Sequence, residues 1–389
     1  MSVAWAVGQV DLPRVISEDP LLAVGWFLVA LVLFVLAGLL LRRLLRSPGQ
    51  RFKLLLGSLN AVGVVMHPNP DPDAMSCALA VKALADETET DTTLYYSGQI
   101  RHHENRAFET VLDVDFECID TVDEIDEESV VIVDHNEPRG FNGAESVDPI
   151  AVIDHHPGDG TGEQFTDVRT DNGACATIFS EYFDSLGWEP VGPDEIDSID
   201  DDSTAISPRI STGLVYGIQS DTKHLTNGCS SAEFDAAAFL YQGVDQDKLD
   251  RIANPDMDAE SLEVKARAIT DREVRGPFAI SDVETVSNAD SIPQAADELR
   301  RLEGVNAVVV MGETNGTIQL SGRSTDDRVH MGKVLESAVE TVPIASAGGH
   351  ARMGGGQIPI EHMEGLGPGD GMTREELKER LFDAMNGDL

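Results

Sequence analysis

The chain is patterned as apolar runs that repeatedly stop at clusters of polar residues. The longest run, residues 21–41, carries no charge and is apolar almost throughout. At ~1.5 Å rise per residue it is long enough to cross a hydrocarbon core of ~30 Å, and it predicts one transmembrane helix. Arg42, Arg43, Arg46, Arg51 and Lys53 follow it directly, whereas Asp11, Glu18 and Asp19 outnumber Arg14 before it. That asymmetry predicts an N-terminal segment 1–20 outside the cell membrane and everything downstream in the cytoplasm. Residues 42–57 read as a basic linker off the membrane.

Beyond the linker the runs shorten to strand length. Residues 61–66, 93–96, 130–133 and 150–153 alternate with stretches of helical pattern at 74–85, 174–186 and 211–219. Apolar strands alternating with helices predict a parallel α/β sheet. Residues 192–208, dense in Asp and Ser, read as a solvated loop. A second α/β segment opens near Gly276, with helices at 291–302 and 331–340 and strands at 307–311 and 317–321. A glycine-rich stretch at 347–356 follows. The expected organisation is a first soluble domain at 58–255, a linker at 256–275 and a smaller α/β domain at 276–389.

Composition narrows the partners. Asp and Glu total 69 against 28 Lys and Arg, a formal net charge of −41. Such a surface reads as solvated and adapted to high salt, as in a halophile, where ions screen self-repulsion. It also excludes long duplex nucleic acid as the main partner, because no basic stripe displaces counterions from a phosphate backbone. The four cysteines form no CxxC pair and read as reduced thiols.

The candidate chemistry sits where three of the short runs end. Residues 61–66 lead into His67, Asn69, Asp71 and Asp73; residues 130–133 lead into Asp134 and His135; residues 150–153 lead into Asp154, His155 and His156. The carboxyl ends of parallel strands share one edge, where sites form. A further polar terminus, Asp221 with Lys223 and His224, follows the helical stretch at 211–219. Asp73 alone, ahead of a helical pattern, reads as a helix cap. Three strands ending in clustered Asp and His do not, because so many carboxylates repel one another unless cations neutralise them. Imidazole and carboxylate without thiolate suits Mn²⁺ or a similar divalent ion.

The segments His67-Pro-Asn-Pro-Asp-Pro-Asp-Ala74, Asp134-His135, Asp154-His155-His156 and Asp221 resemble, in order, the four motifs of the DHH phosphoesterase superfamily. Ser321-Gly-Arg-Ser324 and Gly348-Gly-His350, with Gly354 to Gly356, resemble the DHHA1 domain that accompanies one branch of it. The resemblance implies two divalent metal ions, one held by His67, Asp71 and Asp134 and the other by Asp73, Asp134, His155 and Asp221. It implies a catalytic role for Asp134 as the bridge, for His156 against the phosphoryl group, and for Asp154 as orienter of its neighbours. Arg323, Gly348, Gly349 and His350 would bind substrate. The implied activity is hydrolysis of small nucleotides such as cyclic di-AMP, linear dinucleotides, short oligoribonucleotides or 3′-phosphoadenosine 5′-phosphate. The alternatives are a pyrophosphatase of the same superfamily and an inactive membrane-bound nucleotide sensor. A second copy of the chain is a candidate partner.

Overall fold

The computed structural model describes residues 24–35, 45–100, 102–196, 204–326, 328–366 and 371–388. Among these, no helix is long and apolar enough to cross a membrane. Residues 24–35 are helical; the rest of the expected span 21–41, and the segment 1–20, lie outside the described residues. The chain divides into two compact units at Ala253/Asn254, with residues 101–106 grouped with the second.

The first unit opens with α1 (Pro48–Leu56), a helix where the basic composition predicts a linker. Ser47 and Gln50 form a reciprocal capping box with Pro48 at the first helical position, so the helix start is locally encoded. Phe52, Leu55 and Leu56 fall on one face and are buried, with the Phe52 ring 5.3 Å from that of Phe165 and 5.9 Å from that of Tyr182. The basic residues occupy the other positions, and the segment is a core helix.

The alternation continues with β1 (Ala61–Val65), α2 (Pro72–Asp86), β2 (Asp91–Tyr96), α3 (His103–Leu112), β3 (Glu117–Cys118), β4 (Val130–Val133), β5 (Ala151–Asp154) and β6 (Phe165–Val168). The helices α4 (Cys175–Leu186), α5 (Pro208–Asp221), α6 (Ser231–Leu240) and α7 (Gln246–Ala253) complete the unit. The strands form one sheet in the order β3-β2-β1-β4-β5-β6, every neighbour parallel. Strand order reverses between β1 and β4, the topological switch point at which open α/β sheets build their clefts. Within the stretch read as a solvated loop, Ala205–Ile206 pairs with Glu189–Pro190 and buries Ile206. Residues 197–203 lie outside the described residues.

The second unit contains α8 (Ala259–Thr270), β7 (Glu273–Arg275), β8 (Phe278–Thr285), α9 (Ser291–Leu299), β9 (Ala307–Thr314), β10 (Thr317–Ser324), α10 (Met331–Val339), β11 (Ser346–Gly349), β12 (Met353–Pro359) and, after a short helix, α11 (Arg374–Asn386). Its sheet runs β11-β12-β10-β9-β8-β7 and is antiparallel except between β8 and β9. The expected linker 256–275 supplies α8, whose Val264 and Ala268 are fully buried, and the edge strand β7. The glycine-rich stretch is a β-hairpin, β11 paired with β12.

Candidate metal centre at the carboxyl edge of the first sheet

Strand ends, helix caps and one strained residue assemble the cluster. His67 lies two residues beyond β1, Asp154 is the last residue of β5, and Asp221 the last of α5. Asp134 leaves β4 with φ 59, a left-handed conformation that costs a non-glycine residue about 1 kcal/mol and turns its carboxylate off the strand direction. Asp71, not Asp73, caps α2: its Oδ1 accepts from the N–H groups of Asp73 and Ala74, each at 3.1 Å.

Asp73 has a different task. Fully buried, it accepts the Cys175 N–H at 2.6 Å and the Ala176 N–H at 2.8 Å, the first amides of α4. The positive end of that helix favours an anion there. Burial and the neighbouring Asp134 and Asp221 carboxylates nonetheless push the Asp73 pKa well above the ordinary range.

Two groupings result, with Asp134 adjoining both. His67 Nε2 lies 3.6 Å from Asp71 Oδ2 and 3.5 Å from Asp134 Oδ2. His155 Nε2 lies 3.3 Å from Asp134 Oδ1, 3.4 Å from Asp221 Oδ2 and 3.8 Å from Asp73 Oδ2. These separations are longer than good hydrogen bonds. Those at 3.3, 3.4 and 3.5 Å match the ~3.0–3.5 Å edges of a coordination polyhedron whose ligands stand ~2.1 Å from an ion, and those at 3.6 and 3.8 Å are slightly wider.

The histidine tautomers agree. His67 Nδ1 is 3.0 Å from the Pro68 carbonyl and His155 Nδ1 is 3.2 Å from the Asn172 carbonyl. Each Nδ1–H donates, which leaves the Nε2 lone pair facing carboxylates. Lone pairs facing carboxylates repel unless a proton or a metal cation lies between. Asp134 Oδ1 and His155 Nε2 are buried and have no hydrogen-bond partner, the mark of groups built for an ion.

The field of the cluster points the same way. Burial works to lower both imidazoles, but Asp134 and Asp71 drive His67 up to about 11, and Asp134 and Asp221 drive His155 up to about 12. Burial works to raise Asp134, but His155 and His67 hold it at about 2. The carboxylates demand positive charge at these points, and an oxygen and imidazole set fits divalent cations.

Asp154 organises the turn beyond β5. Its Oδ1 accepts from His155 N at 2.7 Å, His156 N at 3.1 Å and His156 Nδ1 at 2.9 Å; its Oδ2 accepts from Asn136 Nδ2 at 2.7 Å. His156 is half-exposed, with Nε2 free of that bond. Asn136, the Asn172 carbonyl and the first amides of α4 were not singled out from sequence. Only the Asp171-Asn-Gly173 turn signal marked any of them, and it announces a turn rather than a site.

In the second unit, Arg323 is buried in β10 with its fork on Asp297, at 2.8 and 3.3 Å, while Nη1 reaches the Ser321 hydroxyl and the Gly322 carbonyl. It borders a cleft of about 360 Å³ together with Asp290, Gln294, Gly349, Met353 and Gly354. Gly349 has φ 144, and a Cβ there would stand 2.4 Å from the Met353 carbonyl, so the hairpin needs glycine. Gly348 pairs with Gly355 in the ladder, and His350 is exposed at the turn, its N–H donating to the Met353 carbonyl. Arg323 and Gly349 thus line the cleft; Gly348 and His350 are not among its walls.

Comparison with known proteins fits this architecture. The DHH family, N-terminal domain, matches residues 61–218, and the DHHA1 domain matches residues 275–366. An uncharacterized protein of Methanocaldococcus jannaschii is 32% identical over 298 residues, 76% of this chain and 58% of that protein. The cyclic-di-AMP phosphodiesterase GdpP of Geobacillus thermodenitrificans is 25% identical over 349 residues, 86% of this chain and 49% of that protein. The chain therefore spans about half the length of these curated relatives. An exopolyphosphatase-related protein from Bacteroides fragilis shares the fold, with TM-score 0.58 and 15% identity over 87% of this chain and 96% of that one. The first unit carries a DHH-family domain and the second a DHHA1 domain, in that order along the chain.

Proposed function

We propose that the protein is a divalent-metal-dependent phosphoric ester hydrolase that acts on small nucleotides: cyclic di-AMP, linear dinucleotides, short oligoribonucleotides or 3′-phosphoadenosine 5′-phosphate. The observation that carries this reading is the set of three His/Asp groupings, His67–Asp71–Asp134, Asp134–His155–His156 and Asp73–His155–Asp221, gathered on the switch-point edge of the sheet. The cyclic-di-AMP phosphodiesterase among the relatives supports the substrate class.

His67, Asp71 and Asp134 would hold one ion; Asp73, Asp134, His155 and Asp221 would hold the other, with Mn²⁺ the best match to the donors. When bound, such ions acidify water and neutralise charge on a phosphoryl group. The chain's own residues do the rest. Pro68 and Asn172 carbonyls fix the tautomers of His67 and His155. Asp154 fixes His156 through Nδ1, so that Nε2 is the nitrogen left to meet a phosphoryl oxygen. The Asp154 contact also raises the His156 pKa, favouring the charged form that stabilises a developing oxyanion. In the second unit, the cleft beside Arg323 and Gly349 would take the nucleotide.

The reading includes a membrane tether at residues 21–41 with the catalytic units in the cytoplasm, supported by the uncharged apolar run and the basic residues behind it. Membrane fractionation with protease accessibility on right-side-out vesicles tests it: recovery in the soluble fraction would remove the tether. For the activity, the test is product chromatography with Mn²⁺ in high salt. Cyclic di-AMP, a short oligoribonucleotide, 3′-phosphoadenosine 5′-phosphate and pyrophosphate are compared. Cleavage of a nucleotide ester is expected; exclusive cleavage of pyrophosphate would overturn the substrate class, and no cleavage would overturn the reading.

A further inference from the structure

One buried carboxylate outside the cluster is hydrogen-bonded to the segment on which half of the cluster leans. Residues 171–176 serve two ligand positions at once. The Asn172 carbonyl takes the His155 Nδ1–H, and the Cys175 and Ala176 amides hold both oxygens of Asp73. Between them, the Gly173 N–H donates to Glu233 Oε1 at 2.8 Å, across 60 residues of sequence. Glu233 is fully buried, and its other oxygen accepts from the N–H and hydroxyl of Ser230 at 2.6 and 2.9 Å, closing the capping box of α6.

The approach at Gly173 is close from the opposite side as well. A Cβ there would stand 2.4 Å from the Gly228 carbonyl, so residue 173 is clamped between Glu233 and the 228 turn. His67 and Asp71 are anchored differently, by the Pro68 carbonyl and by the first turn of α2.

We infer that Glu233 is a positioning residue that sets the metal affinity of the Asp73–His155–Asp221 half of the centre, acting through the 172–176 segment, while leaving the His67–Asp71 half unaffected. This rests on the metal-centre reading above. The capping box of α6 alone would need only the bonds to Ser230; the bond to Gly173 is the additional one. Burial opposes a charge on Glu233, yet the N–H groups of Ser230 and Gly173 hold its carboxyl below the usual glutamate range, so the tether is an anion accepting from amides. Loss of a partner that orients a metal ligand costs about 10–100-fold in affinity.

The experiment titrates Mn²⁺ into the full chain in lipid nanodiscs by calorimetry, for the unaltered protein, E233Q, E233A and S230A, each also in an H67A background. E233A is expected to weaken one of two binding steps by about 10–100-fold and leave the other unchanged. E233Q, which keeps one acceptor for Gly173, should lie between. In the H67A background the step that remains should show the same loss. S230A removes the cap of α6 but not the bond to Gly173; it should lower the melting temperature and leave both steps intact. Equal weakening of both steps, no weakening, or the same pattern in S230A overturns the inference. Absence of any Mn²⁺ binding by the unaltered protein is a separate result that removes the metal reading itself, and this inference with it.

Discussion

At Asp134 backbone and side chain are bound to one purpose. Its left-handed φ is unfavourable for a non-glycine residue, and it holds the carboxylate between the imidazoles of His67 and His155, at 3.5 and 3.3 Å. Asp134→Ala is expected to reduce hydrolysis by more than about 10³-fold, since loss of an outer partner alone costs about 10–100-fold. Its circular dichroism should be unchanged. Asp134→Asn, which tolerates the left-handed backbone, should be equally inactive; activity in Asn but not Ala would assign the residue a backbone role instead. Arg323→Ala should weaken nucleotide binding and leave metal content unchanged. Its partner Asp297 is about half exposed, so the lost pair should cost only about 1 kcal/mol in a denaturant titration. Loss of metal in that variant would mean Arg323 belongs to the wrong site.

The elements are held to the cluster by close packing. α5 crosses α2 at Gly217, where a Cβ would stand 2.5 Å from the Ser76 hydroxyl and 3.2 Å from Asp73 Cα. This crossing brings Asp73 and Asp221 toward the same histidine. Gly217→Val should therefore cost about 1–3 kcal/mol and lower the affinity of the Asp73–His155–Asp221 grouping, as read by Mn²⁺ titration. Full metal affinity would show that the crossing is not what sets the geometry. In α1 the measurement is simpler. Phe52→Ala should cost about 3–5 kcal/mol in a denaturant titration, whereas a solvated linker would show almost no change.

For the whole molecule, the charge of −41 is the dominant physical fact. Self-repulsion among 69 acidic residues falls as the screening length drops from ~10 Å at 0.1 M salt to ~3 Å at 1 M. The melting temperature should rise across that interval in KCl; a flat response would show that the surface is not strained in dilute buffer.

The strands at 61–66, 93–96, 130–133 and 150–153 and the ligand candidates from His67 to Asp221 were legible because each is written locally. An apolar run of strand length stops at Asp or His, and a parallel sheet gathers those stops on one edge. The cap of α1 was equally local, in Ser47-Pro-Gly-Gln50, but the arginines beside it suggested a linker, and only burial of Phe52 decided the matter. What the sequence could not contain are contacts between distant residues. Asp73 meets Cys175 and Ala176 across 102 and 103 positions, Glu233 meets Gly173 across 60, and Arg323 spends its fork on Asp297. Residue type and spacing fix which groups can bind a metal. Which carboxylate caps a helix, which holds a neighbouring helix and which faces a histidine depends on how the elements pack, and that was decided only in three dimensions.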